Sequence, residues 1–87
     1  MYTVELYATA KQLAESMGYQ VREENLGGIG GGVCEVAGRK CVFVDIAMNS
    51  VEQFEQLISA LSQDPMIHTT ALPPALSNHL QAPRRAA

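Results

Sequence analysis

Few residues in this chain have the types and spacing to do chemistry, and the most conspicuous are glycines. Five of the seven glycines fall in Gly27-Gly28-Ile29-Gly30-Gly31-Gly32. Glycine lets a backbone turn its N–H groups inward around an anion, so the run invites a phosphate-loop reading. Phosphate loops lead from a strand into a helix, whose N-terminus supplies the dipole. This run leads into Val33-Cys34-Glu35-Val36, which is strand-like. The structural reading therefore outweighs the functional one: a loop where backbones bend or approach closely. As a ligand loop, Gly27, Gly28, Ile29, Gly30, Gly31 and Gly32 would act with Asp45, while Arg22 or Lys40 oriented a phosphate-containing metabolite.

Cys34 and Cys41 are the only cysteines, too few for a disulfide framework. A zinc site needs four Cys or His ligands with closed spacing, and only His68 and His79 remain. No metal or cofactor is expected, and the two cysteines read as small buried hydrophobes. Asp45 follows the most apolar strand, where burial could perturb its acidity. It reads first as the residue that ends that strand. No second carboxylate or base can be placed beside it, and no His is set near a rigid Ser or Cys nucleophile. An enzyme is not expected.

The elements that must hold these residues can be read from periodicity. Leu6, Ala10, Leu13, Ala14 and Met17 form one stripe of a helix over 4–17, ended by Gly18. Tyr19–Glu23 alternates as a strand. Val33–Val36, Ala37-Gly38 and Arg39–Val44 read as a hairpin with a two-residue turn. That turn pairs Val36 with Arg39, Glu35 with Lys40, Cys34 with Cys41 and Val33 with Val42. Ser50 and Gln53 suggest a capping box opening a second helix. Its stripe is Val51, Phe54, Leu57, Ile58 and Leu61, and Asp64-Pro65 stops it. Periodicity is lost from Met66 onward.

The order predicts an α+β domain over 1–65, α-β-β-β-α. Its simplest form is a three-stranded antiparallel meander with both helices on one face. Residues 66–87 are expected to form a flexible Pro/Ala-rich tail, in which 75–80 could make one helical turn on a partner. The helix-strand-loop-hairpin start resembles the front part of ImmA-type metallopeptidases. Their His-Glu-x-x-His zinc helix is absent here, so the resemblance implies no catalytic residue.

Charge narrows the partners. Residues 1–65 carry all nine acids against four bases, which leaves them at −5, and the tail adds two arginines. Nucleic acids and anionic membranes need clustered Lys and Arg, so neither is expected. No apolar run approaches the roughly 20 residues that span a bilayer, and no secretory leader pattern opens the chain, so a cytoplasmic location is expected. The strand Cys41–Val44 is apolar on both faces, and a domain this short has little with which to cover both. The favoured reading is a small non-catalytic protein-interaction domain that self-associates or joins a larger assembly. Cys41, Phe43, Phe54 and Leu57 are its candidate interface. The alternative is the small-ligand module built on the glycine loop.

Overall fold

A computed structural model describes residues 3–80. The chain runs α1 (Thr3–Ser16), β1 (Gln20–Glu24), β2 (Gly32–Val36), β3 (Arg39–Asp45) and α2 (Ser50–Ser62), then a 3-10 turn (Pro65–His68) and α3 (Pro74–Leu80). The α+β class holds, but the sheet is mixed, with strand order β1-β3-β2. This corrects the antiparallel meander. β2 and β3 form the expected hairpin, with Cys34 facing Cys41 and Glu35 facing Lys40. β1 lies on the far side of β3 and runs parallel to it, Gln20 beside Cys41 and Glu24 beside Asp45. The physical reason is burial. β3 is the most apolar strand and takes the centre, where neighbours cover both its edges. Residues 25–31 then carry the chain from β1 across the end of β3 to β2.

The hairpin turn is Ala37-Gly38, with φ 52° at Ala37 and 80° at Gly38. Two left-handed residues give the turn a twist that matches the strands it joins. Gly18 closes α1 at φ 96°, and the Tyr19 amide bonds back to Ala14. The cap of α2 sits one residue earlier than expected. The Asn49 side chain accepts from the Glu52 amide, and Glu52 accepts from the Asn49 amide. Ser50 is thus the first helical residue, not the cap.

All helices lie on one face of the sheet. Ala10, Leu13, Ala14 and Met17 of the first helical stretch meet Phe54, Leu57 and Leu61 of the second over Val42 and Val44. The alternation of β3 then turns Cys41, Phe43 and Asp45 to the other face. No helix among the described residues is long and apolar enough to cross a membrane.

The folded unit extends past residue 65, which corrects the flexible-tail expectation for residues 66–80. Ile67, Leu76 and Leu80 are buried in the same core. Asp64 caps the 3-10 turn by accepting from the Met66 amide. α3, where one helical turn over 75–80 was expected, packs against both longer helices. A four-residue turn and a seven-residue helix are too short to show a repeating stripe, which is why periodicity failed there. Residues 81–87 of the expected tail lie outside the described residues. Leu76 is fully buried, so Leu76→Ala should lower stability by about 2–4 kcal/mol. Denaturant unfolding should show this as an earlier midpoint for the whole domain. A midpoint unchanged from the native chain would mean that α3 is not part of the cooperative unit.

Candidate functional site

The glycine loop and Asp45 meet, as the sequence suggested, but in a different relation. Asp45 ends β3 with its side chain wholly out of solvent. Its Oδ1 accepts from the Leu26 amide at 3.0 Å and the Ala47 amide at 3.0 Å. Its Oδ2 accepts from the Gly30 amide at 2.9 Å. Burial pushes the carboxyl pKa up, but amide bonds from Gly30, Leu26, Ala47 and Gly28 outweigh it and hold the group below its ordinary range. The loop does cradle an anion, and that anion is the protein's own carboxylate.

Glycine is required here for two separate reasons. Gly27, Gly28 and Gly30 adopt φ of 73°, 86° and 100°, a region that L side chains avoid. Gly31 is needed for proximity: a Cβ there would lie 1.7 Å from the Phe43 carbonyl oxygen. Gly32 has open space and an ordinary φ.

Gln56 of α2 completes the arrangement. Its Oε1 accepts from the Gly31 amide at 2.8 Å and from the Asp45 amide at 2.9 Å. One side-chain oxygen thus ties the helix, the strand end and the loop together. Sequence reasoning missed Gln56. The available signal was a glutamine three residues after Gln53, flanking the apolar stripe of a helix. Gln53 itself donates to the Met48 carbonyl at 2.8 Å.

The remaining loop amides are also engaged. Gly27 donates to the Asn25 side chain at 3.0 Å and Ile29 to the Leu26 carbonyl at 3.4 Å. From Leu26 to Gly31, every amide is directed at a group of the protein itself. Neither proposed orienting cation joins the loop. Arg22 pairs with Glu24 at 3.1 Å and lies 5.6 Å from the centre of the Phe43 ring. Lys40, at the other end of β3, reaches Asp64 at 3.5 Å and lies over Tyr19.

The candidate interface divides. Cys41, Phe54 and Leu57 are buried within the fold, so they offer no surface, and this corrects their interface assignment. Phe54 and Leu57 sit in the centre because the α2 stripe faces α1, and Cys41 lies between its cross-strand neighbours Gln20 and Cys34. Phe43 is half-buried on the helix-free face of the sheet. It borders a shallow apolar groove with Leu26, Gly30, Gly32, Val33 and Cys34. Cys41 is buried as expected, but Cys34 is exposed because it stands on the edge strand β2, which corrects the expectation of two buried cysteines; both are free thiols. The two histidines are apart: His79 sets its ring edge-on to Phe54 at 5.1 Å, and His68 follows Ile67 in the 3-10 turn.

Two tyrosine–carboxylate pairs also escaped the sequence reading. Tyr19 donates to Asp64 at 2.6 Å. Burial and that bond push its phenol up to about 12. The same bond, with the Met66 amide, draws Asp64 down. Tyr7 donates to Glu23 at 2.6 Å, and burial and the carboxylate raise its pKa. Both join helical segments to the sheet.

Comparison with family models, with curated proteins and with solved structures finds no match to this chain.

Two tests follow from this geometry. A carboxylate whose folded pKa is depressed adds stability that is present above its unfolded value, near 4, and lost as pH falls through the lower folded value. Asp45→Asn should therefore melt well below the native protein at pH 7, with the gap narrowing as pH drops below about 4. A pH-independent gap would show that the charge is not what the amides hold. Gly31→Ala should cost about 2–3 kcal/mol through the clash with the Phe43 carbonyl, whereas Gly32→Ala should stay within about 0.5 kcal/mol. Equal melting temperatures for the two variants would contradict the close approach.

Proposed function

We propose that this chain is a small non-catalytic protein-interaction domain that self-associates or serves as a subunit of a larger assembly. The observation that carries the reading is the asymmetry between the two edges of the sheet. β1 is an edge strand with three charged residues, Arg22, Glu23 and Glu24. Charges are what natural sheets use to keep an edge unpaired. β2 is the other edge, and all five of its residues are exposed. Val33 and Val36 stand at 48% and 44% exposure, and Ile29 in the preceding loop at 88%. Its single charge is Glu35. An apolar edge without proline, bulge or a run of charge is a template for another strand.

The non-catalytic part of the reading rests on where the reactive groups are committed. Asp45 has its oxygens filled by amides, and Cys41 is sealed beneath the sheet surface near the Gln20 side chain. The small-ligand alternative has less support, because the loop amides that would hold a phosphate already hold Asp45 and Gln56. A cytoplasmic setting accords with two free thiols.

Sedimentation velocity of the full chain from about 1 to 100 μM is the direct measurement. Dimers or larger species that grow with concentration are expected, or a stoichiometric complex with a co-purifying partner. A compact monomer over the whole range, with no partner recovered, would remove this reading.

A further inference from the structure

The β2 edge opens onto a groove on each face of the sheet, and the two differ in character. On the helix-free face, Leu26, Cys34 and Phe43 surround the bare backbone of Gly32 and make the apolar groove. On the helix face, Val33 is flanked by Gln56, Ser59 and Gln63 of α2 and its cap, which make a groove rich in hydrogen-bonding groups. A strand added to an edge sends successive side chains to opposite faces. This edge therefore suits an extended segment whose alternate residues are apolar and polar in a set order.

β2 is itself such a segment. We infer that the occupant of this edge is a second copy of the chain, its β2 antiparallel to the first about a two-fold axis at Cys34. The inference rests on the self-association reading and names the surface that performs it. In that register Val36 of one copy falls opposite Gly32 of the other. The exposed valine enters the apolar groove where Gly32 has no side chain, against Phe43, which is the cross-strand neighbour of Gly32. Glu35 falls opposite Val33 on the helix face, beside the Ser59 hydroxyl and the Gln63 amide. Its carboxylate has no ion pair among the described residues, and these groups can donate to it. The two Cys34 side chains meet on the axis. Each groove is filled twice by symmetry, as a self-complementary interface requires. The result is a continuous six-stranded sheet with the charged β1 strands at its outer edges.

The register can be read directly. In a Cys41→Ser variant, Cys34 is the sole thiol. Diamide takes two electrons and two protons from a pair of thiols, becomes the hydrazine and leaves one S–S bond. Directly opposed strand residues lie within the Cα range that a disulfide spans. The variant should therefore give a covalent dimer on non-reducing electrophoresis, and Cys34→Ser should give none. A second variant, Gly32→Val, fills the apolar groove from within the chain, where a Cβ meets nothing. It should weaken dimerisation at least tenfold in sedimentation without lowering the melting temperature measured on the monomer at low concentration. If the native chain dimerises but Gly32→Val dimerises equally well, or Cys34 fails to cross-link, the register is wrong while self-association stands. If the native chain is monomeric throughout, both fall.

Discussion

A buried carboxylate at the end of the central strand is the constraint on which the rest of this fold depends. Asp45 lies wholly out of solvent, and a charge so placed is tolerated only when its oxygens are hydrogen-bonded. The groups that bond it come from residues 26–30 and from Ala47. The loop must therefore pass directly over the end of β3. That path delivers the chain from one edge of the sheet to the other and makes β1 parallel to β3. Without the carboxylate, nothing would offset the cost of turning several backbone amides inward in a glycine-rich segment, the segment with most conformational entropy to lose. The glycines and the aspartate are two halves of one device.

Gln56 carries this device into the helical layer. A single acceptor oxygen receives the amides of Asp45 and Gly31, so α2 is registered against the strand end through polar contacts as well as through Phe54, Leu57 and Leu61. At the opposite end of the sheet, Tyr19, Asp64 and Lys40 play a comparable part, joining the start of β1 and β3 to the end of α2. The apolar core between them is completed by Ile67, Leu76 and Leu80. A chain this short gains much from those three side chains, since a small domain has few apolar residues to bury.

How much of this was legible in the sequence depended on the range over which each signal acts. The helical stripes, the Ala37-Gly38 turn and the β2–β3 register are local, and periodicity with turn chemistry recovers them. The glycine run was rightly read as a backbone device, because a strand and not a helix follows it. Its partner was visible as well, since Asp45 stands where the most apolar strand ends. That the loop bonds the carboxylate itself was not, for it depends on which strand pairs with which. The meander assumed that neighbours in sequence are neighbours in space, although seven residues between β1 and β2 leave ample reach for a crossing. The apolar character of Cys41–Val44 was the better guide, since it marks a strand with neighbours on both sides. The same run misled at the site, where Cys41 was read as interface although its burial is internal. α3 was legible only as a single helical turn over 75–80 and not as part of the core, because two leucines four residues apart, after two prolines, do not make a period.

The position of the loop also shapes the β2 edge of the sheet. Crossing over the end of β3 places Gly31 against the Phe43 carbonyl and starts β2 at a residue with no side chain. The backbone approach that Asp45 enforces thus leaves a hollow at the head of β2, bordered by Leu26 and Phe43. A strand edge with a side chain missing at one end and an exposed valine at the other is suited to meet its own inverse. The same burial of a carboxylate that organises the monomer shapes the surface on which two copies would join.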